Sequence, residues 1–198
     1  LNVSFKPSKT EQAESGKSLI DSEIENSWAK DEISYLYQKG IIKGNGDSLA
    51  LDETVSRAEL AAMLLRAQGV TLSAYTGRFS DVAATAWYAD TIETACRIGL
   101  VEGFDGKARP EERVTREEMA KIIISVYEKK LGETEKASLD SFSDKSEISA
   151  WASEFVEKAV NLKLMSGVDS EHFMPLKSAT RAEAGVIIYR FYSMLSAR

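Results

Sequence analysis

Three observations predict an all-α fold built from three helix–loop–helix repeats. First, a short stretch of the form Ser/Thr, Arg, small or acidic, Glu occurs three times, at Ser56-Arg57-Ala58-Glu59, Thr115-Arg116-Glu117-Glu118 and Thr180-Arg181-Ala182-Glu183. Second, the three tryptophans of the 198-residue chain, Trp28, Trp87 and Trp151, each precede a glycine by 16 residues, at Gly44, Gly103 and Gly167. Third, apolar residues after each Trp and after each Arg recur with helical spacing. An Asp stands before each Trp (Asp21, Asp81, Asp144), and Gly to Arg is 13, 13 and 14 residues. Self-similarity of this kind marks a repeat architecture.

Taken in order, residues 1–18 are polar and without period, and read as a linker or the tail of a preceding module. The chain begins at Leu1 without a Met, as an excised piece or mature form would. The repeats then occupy 19–70, 79–130 and 142–195, with linkers at about 71–78 and 131–141, and together form one domain. In the first copy Ala29, Ile33, Leu36 and Tyr37 make the stripe of an amphipathic helix. Tyr88, Ile92, Ala95 and Cys96 match them in the second, and Ala152, Val156, Ala159 and Val160 in the third. Gly40 and Gly99 terminate the first two of these helices, whereas Lys163 at the third predicts a different ending.

An apolar pair follows (Ile41-Ile42, Leu100-Val101, Leu164-Met165), then the fixed glycine, for which a positive φ is expected, then a polar turn-rich loop. The second helix opens on a capping box, in which Ser56 with Glu59, Thr115 with Glu118, and Thr180 with Glu183 satisfy free N–H groups. Its stripe is Leu60, Met63, Leu64 and Ala67; then Met119, Ile122, Ile123 and Val126; then Ala184, Ile187, Ile188 and Phe191. A length of about 12–15 residues is expected for each. One such unit buries too little apolar surface alone, so the three must pack on one another. A closed, pseudo-threefold arrangement with the second helices as a central three-helix bundle is the favoured form.

The capping box accounts for the hydroxyl and the Glu and leaves the Arg unexplained. A cation in the first turn opposes the helix dipole by a few tenths of a kcal/mol, up to about 1. Three such arginines in register need a purpose.

Composition bounds that purpose. A net charge of −6 argues against general nucleic-acid binding. One Cys and one His supply no disulfide, zinc site or nucleophilic dyad within a chain, and no metal or cofactor is expected. No apolar run nears the roughly 18 residues of a membrane span. Asn45-Gly46-Asp47 does not continue into a calcium-loop pattern. Cys96 sits at an apolar repeat position as a structural thiol, and His172 has no counterpart in the other copies.

The ordered set of residues resembles the S-layer homology family of bacterial cell-surface proteins. The likeness is carried by Phe79-Ser80-Asp81 and Phe142-Ser143-Asp144, then the Trp, then Gly40-Ile41-Ile42-Lys43-Gly44 and Gly99-Leu100-Val101-Glu102-Gly103. Phe173-Met174-Pro175 and Thr180-Arg181-Ala182-Glu183 complete it, and it spans about residues 19–195. The first copy departs with Leu19-Ile20-Asp21 in place of Phe-x-Asp, and the third lacks its first glycine.

The resemblance implies a pseudo-threefold helical module, without enzyme activity, that tethers an exported protein non-covalently to secondary cell-wall polysaccharide linked to peptidoglycan. It implies an extracellular, cell-wall location, no nucleic acid, no membrane insertion, and a monomeric module of a larger chain. The sugar unit implied is a pyruvate-ketal-bearing N-acetylmannosamine. Arg57, Arg116 and Arg181 would pair its carboxylate through two parallel N–H···O bonds, helped by free backbone N–H groups at the same helix starts. Trp28, Trp87 and Trp151 would offer flat faces to the sugar. Asp21, Asp81 and Asp144 would accept from its hydroxyls or hold the Arg, and Gly44, Gly103 and Gly167 would allow close approach. Loss of binding without unfolding is expected on changing the three arginines to Ala. The plainer alternatives are a core role for the Trp residues and a turn or cap role for the Asp residues. Two other functions compete: a protein–protein or self-assembly module of a surface layer, and a wall-glycan hydrolase, which threefold repetition of one site disfavours.

Overall fold

A computed structural model describes residues 18–44 and 46–197, and among these described residues there are seven α-helices and one 3-10 turn. The helices are α1 (Leu19–Asn26), α2 (Lys30–Gln38), α3 (Arg57–Ala67), α4 (Ala89–Arg97), α5 (Arg116–Leu131), α6 (Ser153–Asn161) and α7 (Arg181–Ser196). The 3-10 turn is Lys145–Glu147. Among the described residues there is no strand, only isolated bridges, so the all-α expectation holds. The linker expected at 1–18 lies outside the described residues apart from Ser18, which caps α1.

Helix α1 was not legible as an element. Asp21 is expected at the place of Asp81 and Asp144 in the other copies; instead Ser18 and Asp21 form a capping box that starts a helix. The second helices are 11, 16 and 16 residues long and begin on the three expected capping boxes.

The first helices end alike, which corrects the expectation for the third copy. Lys163 takes φ 55, beside 67 at Gly40 and Gly99. The next residue's N–H returns to the helix in the same way each time: Ile41 to the Leu36 carbonyl, Leu100 to Ala95, and Leu164 to Ala159. This ending satisfies the last carbonyls of a helix, and a lysine there accepts the left-handed strain that glycine avoids.

The packing is out of step with the sequence repeat. Helix α4 packs on α3, α6 on α5, and α2 on α7, so each first helix lies against the second helix of the preceding copy, with copy one following copy three. Ile33, Leu36, Ile92, Ala95, Val156 and Ala159 are buried by this packing. Gly185 of α7 belongs to it too, because a Cβ there would lie 2.5 Å from the Ile33 Cδ1. Helix α7 contacts both α3 and α5, whereas α3 and α5 are joined through the segments that precede them.

Those segments close a ring of backbone hydrogen bonds. The N–H of Val55 donates to Ala179 at 2.9 Å, that of Ala179 to Val114 at 2.9 Å, and that of Val114 back to Val55 at 3.1 Å. All three residues are fully buried, two residues before α3, α7 and α5. The main core surrounds this ring, and a smaller cluster of Ala58, Phe79, Val82, Ala89, Ile92 and Ala108 lies between α3 and α4.

Candidate functional site

The three helix starts are fully satisfied from within the protein. The first amide of each helix donates to a neighbouring copy: Arg57 to the Glu112 carbonyl, Arg116 to Lys177, and Arg181 to Glu53. The second amide does likewise, from Ala58 to Pro110, Glu117 to Pro175, and Ala182 to Leu51. The third is taken by the cap hydroxyl of Ser56, Thr115 or Thr180. The N–H groups expected to be free for an anion are therefore engaged, because the following copy's loop supplies the missing acceptors.

The same loops grip the arginine side chains. Arg57 donates from Nε to the Ala108 carbonyl and from Nη2 to Glu102. Arg116 donates to Phe173 and Ser166, and Arg181 to Leu49 and Lys43. The pair Nε and Nη2, which a bidentate carboxylate would use, is thus occupied in all three. Arg116 and Arg181 are buried, while Arg57 is half-buried. Burial pushes the Arg116 guanidinium down from its ordinary value, with Glu183 and Asp144 pulling it back. Its guanidinium carbon also lies 4.9 Å from the Phe173 ring centre.

Each loop is held from behind by a carboxylate. Asp81 accepts from the amides of Ala108 and Arg109, and Asp144 from those of Phe173 and Met174. In the first copy the equivalent is Glu23, which accepts from Leu49, Leu51 and the Ser48 hydroxyl. Asp21 is exposed and does not take part, a correction to its expected place. Burial pushes the Glu23, Asp81 and Asp144 carboxyls up, but the loop amides outweigh it and hold all three below their ordinary values. Ala50, Arg109 and Met174 occupy the same left-handed place in each loop, at φ 52, 53 and 55.

Gly44, Gly103 and Gly167 are required for closeness and not for a positive φ, which none of them adopts. An added Cβ would lie 2.1 Å from the Ser48 carbonyl at Gly44, 2.3 Å from the Phe79 ring at Gly103, and 2.4 Å from the Asp169 carbonyl at Gly167. The tryptophans are not core anchors: Trp28, Trp87 and Trp151 are 66, 62 and 49% exposed.

Arg, Gly and Trp meet in three surface grooves of about 430, 330 and 430 Å³. The first is lined by Gly44, Glu59 and Arg66 of copy one, Arg181 of copy three and Trp87 of copy two. The second has Gly103, Glu118 and Lys121 of copy two, Arg57 of copy one and Trp151 of copy three. The third has Gly167, Glu183 and Arg190 of copy three, Arg116 of copy two and Trp28 of copy one. Their size is that of small-ligand sites, and each combines a flat apolar face with cations. The three aspartates do not line them. Arg66, Lys121 and Arg190 are not among the residues expected from the sequence. Arg66 and Arg190 share one register, nine residues after Arg57 and Arg181, which was the available signal; Ser125 interrupts it in the second copy.

Outside the grooves, the Cys96 thiol is half-buried and pushed up by burial, as a structural residue would be. His172 pairs with Asp169 at the surface. Among the described residues no His, Cys, Asp and Glu group has metal-site geometry, and no helix is long and apolar enough to cross a membrane.

A family model described as the S-layer homology domain matches the chain at residues 22–61, 78–120 and 141–184. The chain is 40% identical over 175 residues to an exoglucanase, XynX, of Acetivibrio thermocellus, covering 87% of this chain and 16% of that protein. It is 40% identical over 169 residues to an amylopullulanase of Thermoanaerobacterium thermosulfurigenes, covering 84% and 9%. It is 31% identical over 169 residues to the surface-layer 125 kDa protein of Lysinibacillus sphaericus, covering 82% and 14%. The chain thus spans a small fraction of the length of each of these relatives.

Proposed function

The chain belongs to the S-layer homology domain family, with three tandem copies of the domain, and from that premise we propose that it anchors a surface protein by binding pyruvylated cell-wall polysaccharide in its three grooves. The location is the bacterial cell wall, and the ligand is a cell-wall polymer. The cyclic order of the contacts between copies supports a closed, pseudo-threefold module. The exoglucanase and amylopullulanase extend far beyond the stretch matched, so the activities in their names are not assigned to this chain.

One observation carries the finer reading: an exposed tryptophan and an arginine from different copies are brought to the same groove three times over. A sugar ring and its ketal methyl group fit the indole face. The carboxylate meets a cationic edge made by the remaining guanidinium nitrogens together with Arg66, Lys121 or Arg190. Glu59, Glu118 and Glu183 start helices and leave one carboxylate edge toward the groove. Individually weak grooves on one rigid body gain by avidity along a polymer.

Co-sedimentation with purified wall sacculi tests the proposal. The chain should pellet with intact sacculi, and mild acid removal of the ketal should release it. Equal retention on sacculi stripped of polysaccharide would instead favour docking onto protein or peptidoglycan.

A further inference from the structure

The three grooves share a plan but are chemically unequal. We infer that the groove floored by Arg57 is the principal site for the acidic sugar, and that Phe104 is a second aromatic contact there beside Trp151. This rests on the reading of the grooves as glycan sites.

The inequality begins at the arginine. Arg181 Nη1 lies 2.9 Å from Glu59, and Arg116 Nη1 lies 3.6 Å from Glu183, so in two grooves the capping glutamate already pairs with this arginine, and Arg66 or Arg190 is left as the cation bound only to backbone carbonyls among the described residues. Arg57 has no carboxylate within ion-pair distance among the described residues, although Glu118 lines its groove. An acidic ligand arriving at Arg116 or Arg181 must displace a protein carboxylate and face its charge. At Arg57 it meets a half-buried guanidinium with an unoccupied Nη1. Lys121 adds a second cation, 3.5 Å from Glu102 and 5.9 Å from the Trp151 ring centre. That ion pair is largely exposed and therefore weak enough to be exchanged for a ligand carboxylate.

The aromatic complement differs as well. Phe104 follows Gly103 directly, lines the same groove and is 72% exposed. It sits at the head of a two-residue turn, Asp105 at φ 50 and Gly106 at φ 69, closed by hydrogen bonds in both directions between Phe104 and Lys107. Such a turn fixes the backbone that carries the ring, and the Arg109 guanidinium carbon lies 5.9 Å from the ring centre. The corresponding residue after Gly167 is Val168, and after Gly44 it is Asn45, so neither other groove has a ring there. Among the described residues, two rings from two copies and a loop-held arginine without a carboxylate partner occur together in this groove alone.

The test is calorimetric titration of the full chain with a pyruvate-ketal-bearing N-acetylmannosamine glycoside, using the same glycoside without the ketal as control. Phe104→Ala should weaken the tightest site about tenfold, Phe104→Tyr should keep it within about twofold, and Val168→Ala should leave it unchanged. Trp151→Ala should remove that site, while Trp28→Ala and Trp87→Ala retain it. Phe104→Ala titrating like the parent, or loss of the tightest site on changing Trp28 or Trp87, overturns the inference. Equal binding of both glycosides overturns its anionic part. A parent chain that binds neither glycoside overturns the glycan reading of all three grooves, and the inference falls with it.

Discussion

The Nε of Arg181 donates to the Leu49 carbonyl at 2.7 Å across 132 residues of sequence, fastening the start of the last long helix to a loop of the first copy. The arginines that looked misplaced against the helix dipole are cross-links between copies before they are anything else. Arg181→Ala would leave two carbonyls without their donor and remove the 2.9 Å contact to Glu59, and should cost about 2–4 kcal/mol of folding stability. Arg116→Ala should cost about as much, and Arg57→Ala less, about 1–2 kcal/mol, because it is half-exposed and has no ion-pair partner. Denaturant unfolding of the three variants would check that order. The expectation that all three can be changed to Ala without unfolding is put to the same test.

The tryptophans separate binding from folding. Changing Trp28 or Trp87 to Ala should alter stability by about 0.5 kcal/mol or less, since those rings are mostly in solvent, and changing the half-exposed Trp151 by about 1 kcal/mol. Wall binding should nevertheless fall, most for Trp151. Variants retaining one Trp, with the other two changed to Phe, would report each groove by fluorescence during titration with wall polysaccharide.

Acid should loosen the loops. Glu23, Asp81 and Asp144 are held below their ordinary values in the folded protein by the amides they accept from, despite burial. Stabilisation of this sign is complete above the unfolded values, about 4, and disappears as pH falls through the folded ones. Thermal midpoints should be level from about pH 7 to 5 and drop below about pH 4. Asp144→Asn should lower the midpoint at pH 7 and shrink the acid-induced drop.

Backbone changes give tests of opposite sign. Lys163→Gly should gain about 1 kcal/mol by removing left-handed strain from a side-chain-bearing residue. Gly103→Ala should lose about 1–3 kcal/mol, because its Cβ would collide with the Phe79 ring. Chemical unfolding of the two variants would show both shifts.

The helices, their capping boxes and the repeat were legible because each is local: apolar spacing, a hydroxyl with a Glu three residues on, a fixed Trp-to-Gly interval. What was hidden depends on partners distant in sequence. Glu23 replaces the expected Asp21 because the loop amides of residues 49 and 51 reach α1 there, which no spacing rule encodes. The arginine was correctly singled out as unusual, yet its acceptors lie in another copy. That each first helix packs on the preceding copy was equally invisible, since identical stripes fit either neighbour. Arg66, Lys121 and Arg190 were missed because they recur imperfectly and resemble ordinary charges on a solvated helix face.

The composition of the grooves sets a minimum on the module. Every groove takes its glycine and glutamate from one copy, its arginine from the one before and its tryptophan from the one after. Deleting any single copy would therefore leave no complete groove, not two. A site of this kind cannot be assembled gradually by one chain accumulating copies: recognition begins at three, or requires that separate chains supply the missing neighbours.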